Sequence, residues 1–178
     1  MSERTFRNPK TGETITFLKT ARETNGELFR MGYTMAPHAA IADEHCHPYQ
    51  EMRIEVTSGA LSCRVDGREH TLRAGESMTI PAGAWHFQSN NTEEQVHAIE
   101  EYRPALQMEE FFQVLIGWAN DGKTSEAGMP SPLRAAVLHR YFKRSIRSSS
   151  HWRNIVSVLL APLGTIAGYR RELMRYLS

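Results

Sequence analysis

The chain has 178 residues and a formal net charge of +1, room for one domain with an appendage and too little for two ordinary domains. Forty per cent apolar and 23% charged residues exclude a disordered or fibrous protein. Two cysteines, Cys46 and Cys63, exclude a disulfide framework, and the opening residues Met-Ser-Glu-Arg-Thr-Phe lack the basic-then-apolar order of a secretory signal, so a cytoplasmic location is expected.

Residues 1–103 read as β structure. Segments 14–19 (TITFLK) and 28–35 (LFRMGYTM) are rich in β-branched, aromatic and apolar residues, and Asn25-Gly26 supplies a turn before the second. A strand is expected over 53–56. Leu61, Cys63 and Val65 then alternate with Ser62 and Arg64, ahead of an Asp66-Gly67 hairpin turn. Short strands over 70–72, 77–80 and 85–88 are separated by Ala74-Gly75 and Pro81-Ala82-Gly83, and 95–102 closes the series. Many short strands broken by Gly and Pro predict a sandwich, barrel or jelly roll.

At Pro104 the periodicity changes. Met108, Phe111, Phe112, Leu115 and Ile116 recur at helical spacing, and Gly122 lies just past the expected helix end. Residues 128–132 (GMPSP) read as a loop. A second helical stripe runs over 133–146, and Ser148-Ser149-Ser150 interrupts it. Segment 155–169 is nearly free of charge, too short to span a bilayer, and broken up by Pro162, Gly164 and Gly168. We therefore divide the chain into a β-barrel, 1–103, and a helical extension, 104–178, packing on the barrel or on a partner subunit.

The extension is basic: residues 139–178 hold eight Lys/Arg against one acid, Glu172, which leaves the body acidic. Arg153, Arg170 and Arg171 flank the apolar segment, so weak membrane-surface contact through 153–171 is one expectation, with packing on protein as the other. No basic, aromatic-studded strand face points to nucleic acid.

The chemistry concentrates in 44–51 (EHCHPYQE) and 81–86 (PAGAWH). His45 and His47 flank one residue, so on a strand both side chains point to the same side. Neutral imidazoles so placed can share a metal, and His86 from another strand can complete the face. Cys46 then turns away, as a buried thiol without a partner to activate it. Gln88 is in phase with His86. No Ser-His-Asp arrangement and no phosphate-cradling glycine loop is present.

In these segments the chain resembles the cupin superfamily. Gly75, Pro81, Gly83, His86 and Asn90 match its second motif, Gly-x5-Pro-x-Gly-x2-His-x3-Asn. His45, His47 and Gly59 match the first, with Ala39 where a glycine is usual. The whole chain is similar to small bacterial single-domain cupins with a helical C-terminal extension. The resemblance implies a mainly β fold, a double-stranded β-helix (jelly-roll barrel) with C-terminal α-helices, a pocket in the barrel mouth, a divalent transition metal (Fe, Cu, Ni or Zn) on His45, His47 and His86, and a homodimer.

The motif's glutamate is the point of departure. Counting back from Gly59 puts it at Met52, whereas counting forward from His47 puts it at Glu51. Met52, Ile54 and Val56 form the apolar face of their strand, so Met52 is expected inward and Glu51, the other candidate fourth ligand, outward. Three-histidine sites occur in cupin dioxygenases, so the resemblance permits a metal-dependent enzyme with dioxygenase-like chemistry. Met52, Ile54, Val56, Met78, Ile80 and Gln88 would line its pocket and favour a hydrophobic or aromatic small molecule. A non-catalytic small-molecule-binding barrel with a degenerate metal site is the alternative.

Overall fold

The computed structural model describes residues 4–41, 43–126 and 128–177. Its order is β1 (Arg4–Arg7), β2 (Thr14–Lys19), β3 (Phe29–Met35), β4 (His45–Cys46), β5 (Glu51–Ser58), β6 (Ala60–Val65), β7 (Arg68–Arg73), β8 (Ser77–Ile80), β9 (His86–Ser89), β10 (Val96–Arg103), α1 (Met108–Asn120), α2 (Pro132–Tyr141), β11 (Arg147–Ser148), α3 (His151–Ile166) and α4 (Tyr169–Met174). Two antiparallel sheets result, β1-β2-β3-β10-β5-β8 and β11-β4-β9-β6-β7, and mainly β architecture with C-terminal helices is what the strand and helix patterns predicted.

Alternation sets the core. On β5, Met52, Ile54 and Val56 are buried at 1, 0 and 0% exposure, and on β6 Leu61 and Cys63 are fully buried. The Asp66-Gly67 pair turns the β6–β7 hairpin with φ of 46° and 77°, a left-handed geometry that Gly adopts freely and Asp tolerates. Gly59 has φ of 80°, and a Cβ there would stand 3.0 Å from the Gln95 carbonyl oxygen, so this turn between β5 and β6 excludes any larger residue.

The helical region covers one end of the barrel with aromatic and apolar side chains. Met108, Phe111, Val114, Trp118, Val137, Leu138 and Phe142 join Phe29 and Tyr102 in one continuous core. Phe29 and Tyr102 stack at 6.1 Å, and Phe111 meets Phe142 edge-on at 5.6 Å. Residues of this region also extend the second sheet. Arg147 and Ser148 pair with Cys46 and His45, a strand that the serine run concealed.

Segment 155–169 differs from expectation. The helix α3 runs through Pro162 and Gly164 without a break. Its buried residues are Ala161 and Gly164 and Leu160 is half-buried, while its other large apolar side chains stay exposed. Gly164 is the contact point with α2: a Cβ there would lie 2.7 Å from Val137 Cγ2 and 2.8 Å from the Leu133 carbonyl oxygen. Replacing a helix-interior glycine with alanine ordinarily helps a helix. Here Gly164→Ala is expected to destabilise the protein by about 1–3 kcal/mol, because backbone must move to admit the methyl group. Thermal unfolding of the variant checks this, and an increased Tm would contradict the packing.

Candidate metal centre

Three strands bring the histidines together. β4 lies between β9 and β11, with His45 opposite both His86 and Ser148. His47 follows just beyond β4, and its carbonyl oxygen accepts the Gly83 amide at 2.9 Å, tying the two motif loops together. Ring centroids are 4.4 Å apart for His45 and His86 and 5.1 Å for each of the other pairs. One ligand atom from each imidazole lies within 4.8 Å of the others.

The second ring nitrogen of each histidine is tied to main chain. Nδ1 faces the carbonyl oxygen of Asp43 in His45 (2.9 Å), of Ser145 in His47 (2.7 Å) and of Ala84 in His86 (3.1 Å). A carbonyl only accepts, so each Nδ1 carries the proton and each Nε2 keeps a lone pair. Nε2 of His47 and of His86 is buried with no hydrogen-bond partner. An orphaned buried acceptor costs about 1–3 kcal/mol, and a cation among the three nitrogens would remove that cost. The residues therefore fit a transition metal held by neutral nitrogen donors, a set that suits Fe, Cu, Ni or Zn better than Mg.

Electrostatics agree with that donor set. Burial lowers all three imidazole pKa values; in His45, with His86 beside it, to about 3, and in His47, with both neighbours, well below the usual range. Ligands that must be neutral to bind are thus neutral without the metal.

Among the described residues, no carboxylate joins the three imidazoles. Met52 points inward at 1% exposure, opposite Ile80 and Tyr102. Glu51, kept open as a ligand, is exposed on the other face of β5 and stands outside the cluster, because alternation along the strand separates it from Met52. Ile54, Val56, Ile80 and Gln88 are buried inside the barrel, and Met78 is half-buried opposite Ile54. Cys46 and Cys63 are buried thiols whose pKa values burial raises, Cys63 to about 12, so neither is a ready nucleophile. Asn90 is structural: its Nδ2 donates to the carbonyls of Met35, Ala36 and Glu94. Tyr49 is exposed, with the Arg144 guanidinium over its ring.

Sequence reasoning missed a buried polar network beside the histidines. Glu100, at 4% exposure, accepts from Tyr102 Oη at 2.5 Å and from Gln88 Nε2 at 3.0 Å, and Gln88 Oε1 accepts from Tyr33 Oη at 2.9 Å. Tyr102 meets the His47 ring edge-on at 5.1 Å. Burial raises the Glu100 pKa against the pull of its two hydrogen bonds. The signal was available, since Glu100 shares the inward phase of Val96, Ala98 and Tyr102 on β10. Gln50 was missed too: it is fully buried, its Nε2 donates to the carbonyls of Pro104 and Ala105, and its Oε1 has no partner.

Comparison with known proteins agrees with this barrel. Residues 32–101 match the cupin domain family. The matched segment runs from β3 to β10 and holds all three histidines. Protein SchB of Streptomyces halstedii is 30% identical over 79 residues, 44% of this chain, and the match spans 57% of that relative's length. A predicted oxalate decarboxylase from Thermotoga maritima shares the fold with a TM-score of 0.51 at 11% identity, covering 58% of this chain and 93% of that one. A sugar phosphate isomerase from Silicibacter pomeroyi has a TM-score of 0.49 at 21% identity, covering 57% and 71%.

The buried imidazoles make stability depend on pH with a definite sign. Their folded pKa values lie below the unfolded value of about 6.5, so the unfolded chain binds more protons in mild acid. Their contribution is complete above that pH and is lost as pH falls toward the folded values. Glu100 acts in the opposite sense: its raised pKa gives stability that is present in acid and is lost as pH rises. Burial raises the Glu13 pKa too, so in metal-free Glu13→Gln/Glu100→Gln protein, where both opposing groups are gone, Tm is expected to fall between about pH 7.5 and pH 5. Thermal scans at the two pH values measure it, and a flat profile would contradict the neutral-imidazole assignment.

Proposed function

We propose that this chain is a metal-dependent cupin enzyme that acts on a small hydrophobic or aromatic organic molecule, with oxygen-dependent, dioxygenase-like chemistry. The observation that carries the reading is the set of three Nδ1–carbonyl bonds, which leaves three Nε2 lone pairs convergent and two of them buried without partners. His45, His47 and His86 would hold a divalent Fe, Cu, Ni or Zn ion. Such an ion supplies Lewis acidity and, for iron or copper, one-electron chemistry with oxygen.

The chain's own groups have definable roles around that centre. Three neutral ligands leave the full charge of the cation uncompensated, which favours a substrate that binds as an enolate or phenolate. Apolar side chains from β5 and β8 exclude water and accept an apolar substrate body. Tyr102 and Glu100 hold a proton between Oη and Oε2 over 2.5 Å, one ring away from His47. That pair is placed to take or return a proton at the phenol oxygen.

The second reading, a barrel that binds a small molecule without converting it, is favoured by Met52 at the position of the cupin glutamate and by the burial of His47 and His86 at 2% and 0% exposure. Elemental analysis of the untagged protein and of a folded His45→Ala/His86→Ala variant separates the two readings, because the second has a degenerate metal site. On the first reading, near-stoichiometric metal in the wild type and its loss from the variant are expected; wild type without metal after reconstitution would favour the second. Oxygen uptake by the metal-loaded protein with a panel of enols and phenols then distinguishes turnover from binding. A ligand that raises Tm and is recovered unchanged supports the second reading.

A further inference from the structure

We propose that α3 is a docking face for an anionic phospholipid surface, with the helix lying along the membrane interface. This inference is independent of the chemistry at the histidines. Trp152, Ile155, Leu159, Leu163 and Ile166 fall at helical spacing on one stripe, and all are exposed, Trp152 at 75% and Ile166 at 84%. A helix held by a core buries its large residues and exposes its small ones. Here the order is largely reversed: Ala161 and Gly164 are buried, Gly164 against α2, and every large apolar residue except half-buried Leu160 faces outward.

The charge around the stripe selects its occupant. Residues 151–171 contain no Asp or Glu. A groove on the α2-facing side of α3, away from the stripe, is lined by Arg140, Lys143, Arg147 and Asn154. The C-terminal end of α3, next to Ile166, borders a groove lined by Gly168, Arg170, Arg171 and Met174. Among the described residues, Arg140, Lys143, Arg147, Arg170 and Arg171 have no carboxylate partner, whereas Arg153 pairs with Asp43. Glu172, the acid nearest the second groove, is turned inward to Arg134 at 3.0 Å. A second copy docked on the same stripe would bring no carboxylate from this segment to Arg170 and Arg171, because residues 151–171 hold none. An anionic bilayer offers an apolar layer for the stripe and phosphates for Arg170 and Arg171 beside Ile166. The helix has 16 residues, and no helix of the described residues is long and apolar enough to cross a membrane, so the geometry is interfacial.

The test is co-sedimentation of the full chain with phosphatidylcholine vesicles, with and without about 30% phosphatidylglycerol, beside Leu159→Asp/Leu163→Asp and Arg170→Glu/Arg171→Glu variants. The substituted side chains are exposed, so unchanged circular dichroism is expected. The wild type should pellet with anionic vesicles and partition at least ~10-fold less with pure phosphatidylcholine. Each variant should lose binding by a similar factor, and Trp emission should shift to the blue on binding, except in Trp152→Phe. Wild-type protein that stays in the supernatant with anionic vesicles would overturn the proposal. So would equal binding of the variants, or a solution dimer that Leu159→Asp/Leu163→Asp converts to monomer, which would assign the stripe to a second copy.

Discussion

Three imidazoles in mutual contact inside a protein can coexist only if all are neutral, and the rest of this structure serves that condition. Burial alone makes each ring neutral but leaves its tautomer open. The three main-chain carbonyls decide the tautomer, and they come from three separate places: Asp43 before β4, Ala84 before β9, and Ser145 after α2. Two of these carbonyls lie two residues before the histidine they fix, so the loop that delivers the side chain also orients it. His47 is the exception. Its orienting carbonyl is 98 residues away in sequence, so the site is complete only when the C-terminal region is docked.

That dependence explains why the C-terminal region is bound so tightly to the barrel. Ser145 is fully buried, and besides its carbonyl bond to His47 its hydroxyl accepts the Gln107 amide at 3.1 Å, joining the loop after α2 to the start of α1. Phe142, three residues earlier, is fully buried among Phe111 and Tyr141. Burying a side chain of this size contributes about 1.5–3 kcal/mol, enough to hold a loop that carries one strong hydrogen bond to the site. Gln50 does related work from the other side, linking the start of β5 to the chain leaving β10.

Much of the barrel was legible because alternation is a local property. The run 51–56 already separates Met52, Ile54 and Val56 from Glu51, Arg53 and Glu55, and the burial pattern of β5 follows it residue by residue. The histidines were legible because their spacing and the loop around His86 form a compact pattern. Elements that depend on distant partners were not. β11 is two residues long and exists because β4 offers an edge, so nothing in Arg-Ser marks it as a strand. The Glu100 network has the same origin: Tyr33, Gln88, Glu100 and Tyr102 come from three strands, and each looks ordinary alone. α3 was misread for the opposite reason. Its proline and glycine are poor helix formers, but Gly164 is what allows close approach to α2, so tertiary packing overrides local propensity.

One stretch of chain joins the histidines to the outward face of α3. From Phe142 it passes Ser145, which orients His47, then β11, which pairs with His45 and Cys46, and then enters α3 at His151. The Ser149 amide bonds the Glu44 carbonyl at 3.0 Å, and Arg153 pairs with Asp43, whose own carbonyl orients His45. Ser145, Arg147, Ser148, Ser149 and Arg153 of this stretch therefore each touch a candidate ligand or a residue adjacent or hydrogen-bonded to one. A force that moved α3 relative to the barrel would act first on the Asp43 and Ser145 carbonyls, and hence on the direction of two of the three Nε2 lone pairs. An occupant of the apolar stripe and an ion among the histidines would thus bear on the same main-chain segment from opposite ends.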